Sequence, residues 1–207
     1  MADADLLRQS VDYYQECFRR HGACAKGVDW RDEESQQLRF RQLLRVAEGA
    51  GRYSITDYGC GYGALFDFLA ARGDDVRYVG YDPAEEILGK AVELHGGDGR
   101  TAFTSSRAEL RPTDFAVSSG VWNVKGDAAA SDWLGYVLSG LECLDAIAEK
   151  GFAFNILTAY VDEDKKRSDL FYADPLFLFD HCKKRFSRHV ALLHDYPLYE
   201  FTIMVRK

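Results

Sequence analysis

The sequence lacks the features that mark membrane-spanning and secreted proteins. None of its apolar runs approaches the length of about 18 residues that a membrane-spanning helix requires. The segment Met1 to Asp5 contains neither the basic part nor the apolar part of a secretion signal. We therefore expect a soluble, cytoplasmic protein with no membrane partner.

Paired cysteines are also missing. The five cysteines are scattered along the chain and form no C-x-x-C sequence, so neither a disulfide framework nor a zinc site is predicted. No metal ion is expected in the functional site. Cys60 differs from the others because it lies between glycines, where its small side chain suits a tight turn.

The sequence has fewer basic than acidic residues. Lysine and arginine total 26 against 33 acids, which gives a formal net charge of −7 at pH 7. Because non-specific binding to nucleic acid depends on clustered basic residues, nucleic acid is not an expected partner. Hydrophobic residues make up 47% of the sequence, enough to form the core of a single domain that spans residues 1–207.

The most informative segment runs from Ile55 to Leu65. An apolar run ends at Asp57, glycines follow at alternate positions, and a helix-forming run begins; the glycines are Gly59, Gly61 and Gly63. This pattern predicts a strand, a tight turn and a helix N-terminus. Glycine suits such a turn because the backbone adopts positive φ and comes close to a ligand.

A second acid follows at the end of the next apolar run. Asp82 precedes Pro83, at a place where a carboxylate can accept hydrogen bonds from ribose hydroxyls. The G-x-G-x-G spacing differs from the dinucleotide fingerprint G-x-G-x-x-G. Asp57 beside the loop would repel a pyrophosphate but favour an ammonium or a sulfonium group.

With this paired motif, the sequence resembles the class I S-adenosylmethionine-dependent methyltransferases over about residues 50 to 207. Their first motif is an apolar strand, an acid and G-x-G-x-G, and their second is an acid that ends the next strand. The resemblance implies S-adenosylmethionine (SAM) as the cofactor. It places the ribose at Asp82 and Pro83, and the methionine half at Asp57, Gly59, Cys60, Gly61 and Gly63.

Strand-like runs alternate with helical segments from Tyr53 onward. Strands are predicted at about 53–58, 76–81, 100–104, 114–119 and 151–158, and helices at about 63–72, 84–94, 131–148 and 174–184. This alternation is typical of right-handed βαβ units in a parallel sheet. The last two runs, 188–194 and 199–206, leave no room for a helix between them and predict an antiparallel hairpin.

The predicted fold is therefore α/β: a Rossmann-like, doubly wound seven-stranded sheet with an antiparallel C-terminal hairpin and an N-terminal helical cap. The α/β core is assigned to residues 51–207 and the cap to residues 1–50. In the cap, the spacing of apolar residues predicts one helix through Leu7 and Phe18 and a second from about Glu33 to Glu48. Asp32 is the expected cap of the second helix.

The cap has two interpretations. It is either a lid over the cofactor or an inert extra layer on the sheet. As a lid, it would bring Tyr14, Trp30, Gln37 and Arg39 to the cofactor. The guanidinium of Arg39 would then pair with the carboxylate of the cofactor.

In an open parallel sheet, ligands bind outside the carboxyl ends of the strands. After the third strand, Ser105 and Ser106 occupy the position where the family often contacts adenine, although serine replaces the usual acid. After the fourth strand, Ser119 and Gly120 lie where the family separates cofactor from acceptor. We therefore assign all four residues to the cofactor site.

Four further residues are candidates for contact with the acceptor and for catalysis. Trp122 is expected to form a wall of the acceptor pocket or to shield the sulfonium, and core packing is the alternative. Asn123 would orient the acceptor or cap a turn. Tyr160 and Tyr172, in the loop after the fifth strand, would contact a flat or apolar acceptor or pack against the core.

The predicted function is methyl transfer from SAM to a small-molecule acceptor by direct displacement. One alternative is an enzyme that transfers or cyclises the aminopropyl portion of the same cofactor. A nicotinamide-dependent oxidoreductase and a non-catalytic binding module with a blocked acceptor pocket are two others. The oligomeric state is left open.

Overall fold

The structure, a computed structural model, describes residues 3–207. The strands are β1 (Tyr53–Tyr58), β2 (Val76–Tyr81), β3 (Thr101–Thr104), β4 (Thr113–Ser119), β5 (Ala148–Leu157), β6 (His189–Leu193) and β7 (Glu200–Arg206). The α-helices are α1 (Asp3–His21), α2 (Glu33–Leu43), α3 (Ala64–Arg72), α4 (Glu85–His95), α5 (Ala130–Ile147) and α6 (Pro175–Arg185). Short 3₁₀ helices lie at Ala25–Val28, Leu44–Ala47, Arg107–Glu109 and Glu163–Lys165.

Within residues 3–207, the strands form one sheet in the order β3-β2-β1-β4-β5-β7-β6. Neighbouring strands from β3 to β5 are parallel, whereas β7 is antiparallel to both β5 and β6. The strand order reverses between β1 and β4, which makes their carboxyl ends the expected ligand site. The predicted doubly wound, seven-stranded sheet with an antiparallel C-terminal hairpin is confirmed.

Strand β5 shows how the two faces of the sheet are covered. Phe152, Phe154 and Ile156 belong to a core cluster that includes residues of α5 and α6. Ala153 belongs to a second cluster that includes residues of α2 and α3. Because successive side chains of a strand point to opposite faces, this alternation places helices on both sides of the sheet.

The predicted N-terminal helices are present and pack on the rest of the chain. Asp32 caps α2 as predicted, because its Oδ1 accepts the backbone N–H of Ser35 at 2.8 Å. Phe40 and Leu43 of α2 are buried in the second cluster. Leu6 of α1 is fully buried in the first cluster. The first fifty residues therefore contribute to the core on both sides of the sheet.

Three further observations concern residues 3–207. No helix in this part of the chain is both long enough and apolar enough to cross a membrane. Its cysteines are all free thiols. No group of His, Cys, Asp and Glu side chains among these residues is arranged to hold a metal ion.

Candidate active site

The glycine-rich loop between β1 and α3 is held against the end of β2. The backbone N–H groups of Gly59 and Cys60 both donate to the carbonyl of Tyr81, at 2.7 and 3.0 Å. Gly59, Gly61 and Gly63 have φ values of +85°, +56° and +90°. All three lie in the left-handed region that glycine adopts without strain.

The three glycines have different surroundings. A Cβ atom on Gly59 would lie 2.2 Å from Cγ2 of Val121, and one on Gly63 would lie 2.6 Å from Cδ2 of His95. A Cβ atom on Gly61 would lie 3.2 Å from Cγ1 of Val28, a residue that lines a cavity above the loop. Gly59 and Gly61 line this cavity, whereas Gly63 allows α3 to pack against α4.

Asp82 connects the loop to the end of β2. Its Oδ2 accepts the N–H of Gly61 at 2.8 Å, and its Oδ1 accepts the N–H of Ala84 at 2.9 Å. Burial raises the pKa of Asp82 to about 6, although the two backbone hydrogen bonds lower it. Each carboxylate oxygen has a second lone pair, so Asp82 can also accept hydrogen bonds from a ligand in the cavity.

Asp57 is the other acid of the cavity and is only 3% exposed. Burial raises its pKa to about 7; the hydroxyl of Tyr78 opposes this shift, and the carboxylate of Asp82 adds to it. The Tyr78 hydroxyl donates to Oδ2 of Asp57 at 2.7 Å. Two buried carboxyl groups in one cavity favour a ligand that carries positive charge.

The cavity, which we call the cofactor cavity, is lined mainly by apolar and aromatic side chains with a few polar groups among them, as is usual for small-molecule sites. Asp57 and Asp82 are its only charged lining residues in the described chain. Other predicted cofactor residues also line it: Gly59, Cys60, Gly61, Pro83, Ser119 and Trp30. The carboxyl ends of β1, β2 and β4 bring these residues together.

Much of the remaining wall was not predicted residue by residue. It includes Leu7, Ser10, Val11, Val28, Gln36, Phe40, Tyr62, Ile87, Val121 and Tyr136. Tyr14, which the lid interpretation brings to the cofactor, also lines the cavity. Leu7, Val11 and Tyr14 form the apolar stripe that predicted α1, so the sequence contained a signal for this wall. Gln37 bonds to Glu33 instead, and the neighbouring Gln36 lines the cavity.

The two serines after β3 lie outside the cofactor cavity. Ser105 is exposed and Ser106 is half-buried, and neither lines the cavity. The N–H of Ser106 donates to Oγ1 of Thr104 at 3.0 Å. The prediction that Ser105 or Ser106 contacts adenine is therefore wrong, because both residues belong to the turn that follows β3.

Trp122 is a core residue. Its side chain is 1% exposed, its ring contacts those of Tyr58 and Phe154, and its carbonyl accepts Nε1–H of Trp133 at 2.8 Å. Trp122 lines neither the cofactor cavity nor the cavity next to it. The acceptor-pocket prediction for Trp122 is wrong, and the core-packing alternative holds.

Trp30 lies over the end of β4. A Cβ atom on Gly120 would lie 2.1 Å from Cη2 of Trp30, and Gly120 has a φ of +67°. The Tyr14 hydroxyl donates to the carbonyl of Gly120 at 3.3 Å. Gly120 does not line the cofactor cavity, but its lack of a side chain lets the Trp30 ring form part of the cavity wall.

Arg39 is already paired within the protein. It donates to both carboxylate oxygens of Glu200 at 2.7 and 2.8 Å and to the carbonyl of Ser35 at 2.8 Å. Its guanidinium also lies 3.9 Å from the centre of the Trp30 ring. The prediction that Arg39 binds the carboxylate of the cofactor is therefore wrong, because the guanidinium of Arg39 already binds the carboxylate of Glu200.

A second cavity adjoins the cofactor cavity. Tyr14, Val28 and Trp30 line both cavities, and we call these three residues the partition. Asn123 lines the second cavity, and its Oδ1 accepts the N–H of Leu157 at 3.1 Å. Asn123 thus joins the segment after β4 to the end of β5 through a long-range contact, which is not the local turn cap that the sequence suggested.

The two tyrosines predicted to contact the acceptor line neither cavity. Tyr160 is 65% exposed and its ring lies 6.0 Å from that of His194. The Tyr172 hydroxyl accepts the N–H of Arg167 at 3.0 Å. The prediction that Tyr160 and Tyr172 contact the acceptor is therefore wrong. The loop after β5 reaches the second cavity through Arg167 and Leu170 instead.

Comparisons with known proteins agree with this geometry, although no family model matches the chain. A Mycobacterium tuberculosis (strain ATCC 25618 / H37Rv) protein named "Putative methyltransferase Rv1506c" is 45% identical over 164 residues, which cover 79% of this chain and 99% of that protein.

Solved structures have the same fold. A Burkholderia thailandensis 1,6-didemethyltoxoflavin-N1-methyltransferase with bound 1,6-didemethyltoxoflavin and S-adenosylhomocysteine matches with a TM-score of 0.68 and 17% identity, over 100% of this chain and 91% of that one. A magnesium protoporphyrin IX methyltransferase from Synechocystis PCC 6803 with bound SAM matches with a TM-score of 0.67 and 15% identity, over 100% and 98%.

The cofactor cavity fits this relationship. Its glycine loop leaves room that a Cβ atom on Gly61 would reduce, its two acids suit a cationic ligand, and Asp82 has lone pairs free for hydroxyl donors. The chain therefore belongs to the methyltransferase family of this relative, and its fold is that of the class I S-adenosylmethionine-dependent methyltransferases.

Proposed function

We propose that this enzyme methylates a small molecule bound in the second cavity, by direct displacement at the methyl carbon of SAM. The observation that supports this proposal is that the partition separates the second cavity from the cofactor cavity. Because Tyr14, Val28 and Trp30 line both cavities, a ligand in one lies next to a ligand in the other. The acceptor is placed in the second cavity for this reason.

The cofactor would be held by the residues described above. Asp82 would accept hydrogen bonds from the ribose hydroxyls, while the Gly59 to Gly61 backbone and Asp57 would lie at the methionine half. The bound cofactor supplies a methyl group that its sulfonium already activates. The protein therefore has to align the acceptor and exclude water, and alignment alone can contribute several kcal/mol.

A small acceptor agrees with the construction of the site. Residues of α1 and of the segment between α1 and α2 form one side of the cofactor cavity, so the cavity lies within the domain. The formal net charge of −7 disfavours a nucleic acid substrate. The names of the two structural neighbours also refer to small molecules, 1,6-didemethyltoxoflavin and magnesium protoporphyrin IX.

The test is product analysis. The purified enzyme would be incubated with SAM and fractions of a small-molecule extract, and S-adenosylhomocysteine would be measured by mass spectrometry. Accumulation of S-adenosylhomocysteine with a methylated product supports methyl transfer. Methylthioadenosine as the product would instead indicate aminopropyl chemistry, and cofactor binding without turnover of any fraction would favour a binding module. The Gly61→Val variant provides the control without a cofactor site.

A further inference from the structure

The two cavities differ in charge. Acids are the only charged residues that line the cofactor cavity within the described chain, whereas basic side chains outnumber acids in the lining of the second cavity. The basic side chains of the second cavity are His21, Lys26, Arg31, Arg39 and Arg167; the acids are Asp29 and Glu200. This concentration of basic groups stands out in a protein whose formal net charge is −7.

Both acids of the second cavity have protein partners. Glu200 is 1% exposed, and both of its carboxylate oxygens accept N–H groups of Arg39. Oδ2 of Asp29 accepts the hydroxyl of Tyr13 at 2.8 Å. The charge of Glu200 is therefore balanced by Arg39, whereas the partner of Asp29 is a neutral hydroxyl.

The basic side chains, in contrast, keep unused N–H groups. Lys26 forms no side-chain hydrogen bond or ion pair with any residue of the described chain. Arg31 uses only Nε, which contacts Asp32 at 2.7 Å. Arg167 uses Nε and Nη2 for Asp169, at 3.1 and 2.5 Å, and its guanidinium also contacts the Tyr13 hydroxyl; its Nη1 group is not engaged by the carboxylate of Asp169. The second cavity is thus rich in donors.

We infer that the acceptor carries an anionic oxygen group, a carboxylate or a phosphate, which Lys26 and Arg167 bind in the second cavity. This inference rests on the proposed function. Charged N–H groups bind such oxygens more strongly than neutral ones do. Asp57 and Asp82 repel an anion from the cofactor cavity, so the opposite charges of the two cavities orient the acceptor.

The test uses small anions as probes of the enzyme saturated with S-adenosylhomocysteine. Benzoate and phenyl phosphate represent the two anion classes, and benzamide and benzylamine are the neutral and cationic controls. Binding would be measured by calorimetry in competition with added salt. We expect either anion to bind at least about tenfold more tightly than benzamide, and its affinity to fall as ionic strength rises.

Matched variants locate the anion site. Lys26→Gln and Arg167→Gln should each weaken binding of the tighter anion at least about fivefold, because each removes one charge-assisted contact. Neither change should alter the affinity for S-adenosylhomocysteine. Lys184→Gln is the control: this lysine of α6 is 76% exposed, lines neither cavity, and should leave anion binding unchanged.

The results separate the two proposals. If S-adenosylhomocysteine binds but neither anion binds up to about 10 mM, or if benzamide binds as tightly as the anions, the anionic acceptor is ruled out and the methyltransferase proposal stands. Equal anion affinities in Lys26→Gln, Arg167→Gln and the unmodified enzyme would also overturn it. If S-adenosylhomocysteine itself fails to bind, both proposals fall together.

Discussion

At the residue scale, Gly61 is the glycine whose replacement tests the cofactor site most directly. Its φ is +56°, and a Cβ atom there would lie 3.2 Å from Val28. We predict that Gly61→Val abolishes S-adenosylhomocysteine binding while the protein stays folded, because a β-branched side chain resists positive φ and fills ligand space. Calorimetry and circular dichroism would be measured together.

The matched control is Gly89→Ala. Gly89 lies in α4, and a Cβ atom there meets nothing within 4 Å. This variant should bind S-adenosylhomocysteine as the unmodified enzyme does. Normal binding by a folded Gly61→Val variant would mean that the glycine loop is not part of the cofactor site.

Asp82 supports both the loop and the expected ribose contact. We predict that Asp82→Ala weakens S-adenosylhomocysteine binding at least about tenfold, since each hydrogen bond to a charged group contributes about 1.5–3 kcal/mol. Loss of the carboxylate also releases the N–H groups of Gly61 and Ala84. Asp180→Asn, at an exposed residue of α6, is the control. An unchanged dissociation constant for a folded Asp82→Ala variant would remove Asp82 from the site.

The raised pKa values of Asp57 and Asp82, about 7 and about 6, predict pH-dependent binding. A sulfonium favours the ionised carboxyl groups, so SAM binding should lower both pKa values and release protons. The affinity for SAM should therefore rise between about pH 5.5 and 8. Calorimetry in buffers of different ionisation enthalpy would count the protons. S-adenosylhomocysteine, whose sulfur is neutral, should show a smaller rise.

The same two groups affect the stability of the free enzyme in the opposite direction. A carboxyl pKa raised by folding contributes stability below its ordinary value, and this contribution is lost as the pH rises through about 6 and about 7. Asp57→Asn keeps an oxygen that accepts the Tyr78 hydroxyl but replaces a titratable carboxyl group by an amide. It should flatten both pH profiles, and profiles identical to those of the unmodified enzyme would show that Asp57 does not titrate in this range.

The residues whose roles were predicted wrongly contact partners that are distant in the sequence. Glu200, which pairs with Arg39, is 161 positions away, and no local pattern indicates such a pairing. Trp122 precedes a buried helix whose Gly140 lies against its ring, a contact that only the packed structure shows. Asp57, Gly61 and Asp82 were predictable because strand ends and turn glycines leave local signals in the sequence.

At the element scale, periodicity predicted most of the fold. β1 and β2 lie at the predicted positions, whereas β5 begins at Ala148 rather than at 151. The segment Glu33 to Glu48 was predicted as one helix, but it forms α2 followed by the 3₁₀ helix Leu44–Ala47. Helix ends depend on packing, which here places Leu44 in the core.

Helix α1 offers a test of the lid interpretation. It lines the cofactor cavity through Leu7, Val11 and Tyr14, and an exposed contact between Arg19 and Glu86 links it to α4. If α1 and the segment after it close over the ligand, S-adenosylhomocysteine should slow amide hydrogen exchange in residues 10 to 40, because closure suppresses local opening.

The control region for the exchange measurement is α6, which lines neither cavity and should exchange at the same rate with and without ligand. Equal exchange in residues 10 to 40 at saturating S-adenosylhomocysteine would favour an inert layer over a lid. In that case, the partition would be a fixed wall rather than a closing element.

At the scale of the whole molecule, the N-terminal segment serves two different parts of the structure. Residues before position 31 supply the partition and Lys26 of the second cavity. Residues after it, including Phe40 and Leu43, cover one face of the sheet. The first group therefore supplies the partition, whereas the second covers the sheet and adds Gln36 and Phe40 to the wall of the cofactor cavity.

Two truncations separate these roles and test the assignment of residues 1–50 as a cap. Removal of residues 1–30 should weaken cofactor binding more than it lowers the free energy of unfolding, although it also removes Leu6, which is fully buried. Removal of residues 1–50 exposes the sheet face that Phe40, Leu43 and Val46 cover. Because one buried large apolar side chain contributes about 1.5–3 kcal/mol, the loss of these three costs about 4.5–9 kcal/mol, comparable with the stability of about 5–15 kcal/mol of a typical domain.

We therefore predict that a protein of residues 31–207 unfolds cooperatively in urea but binds S-adenosylhomocysteine at least about tenfold more weakly than the full chain. A protein of residues 51–207 should show no cooperative transition. If it unfolds cooperatively at the same urea concentration as the full chain, the sheet does not need α2, and residues 1–50 are a separable cap. If residues 31–207 bind the ligand as tightly as the full chain, the partition makes no contribution to cofactor binding.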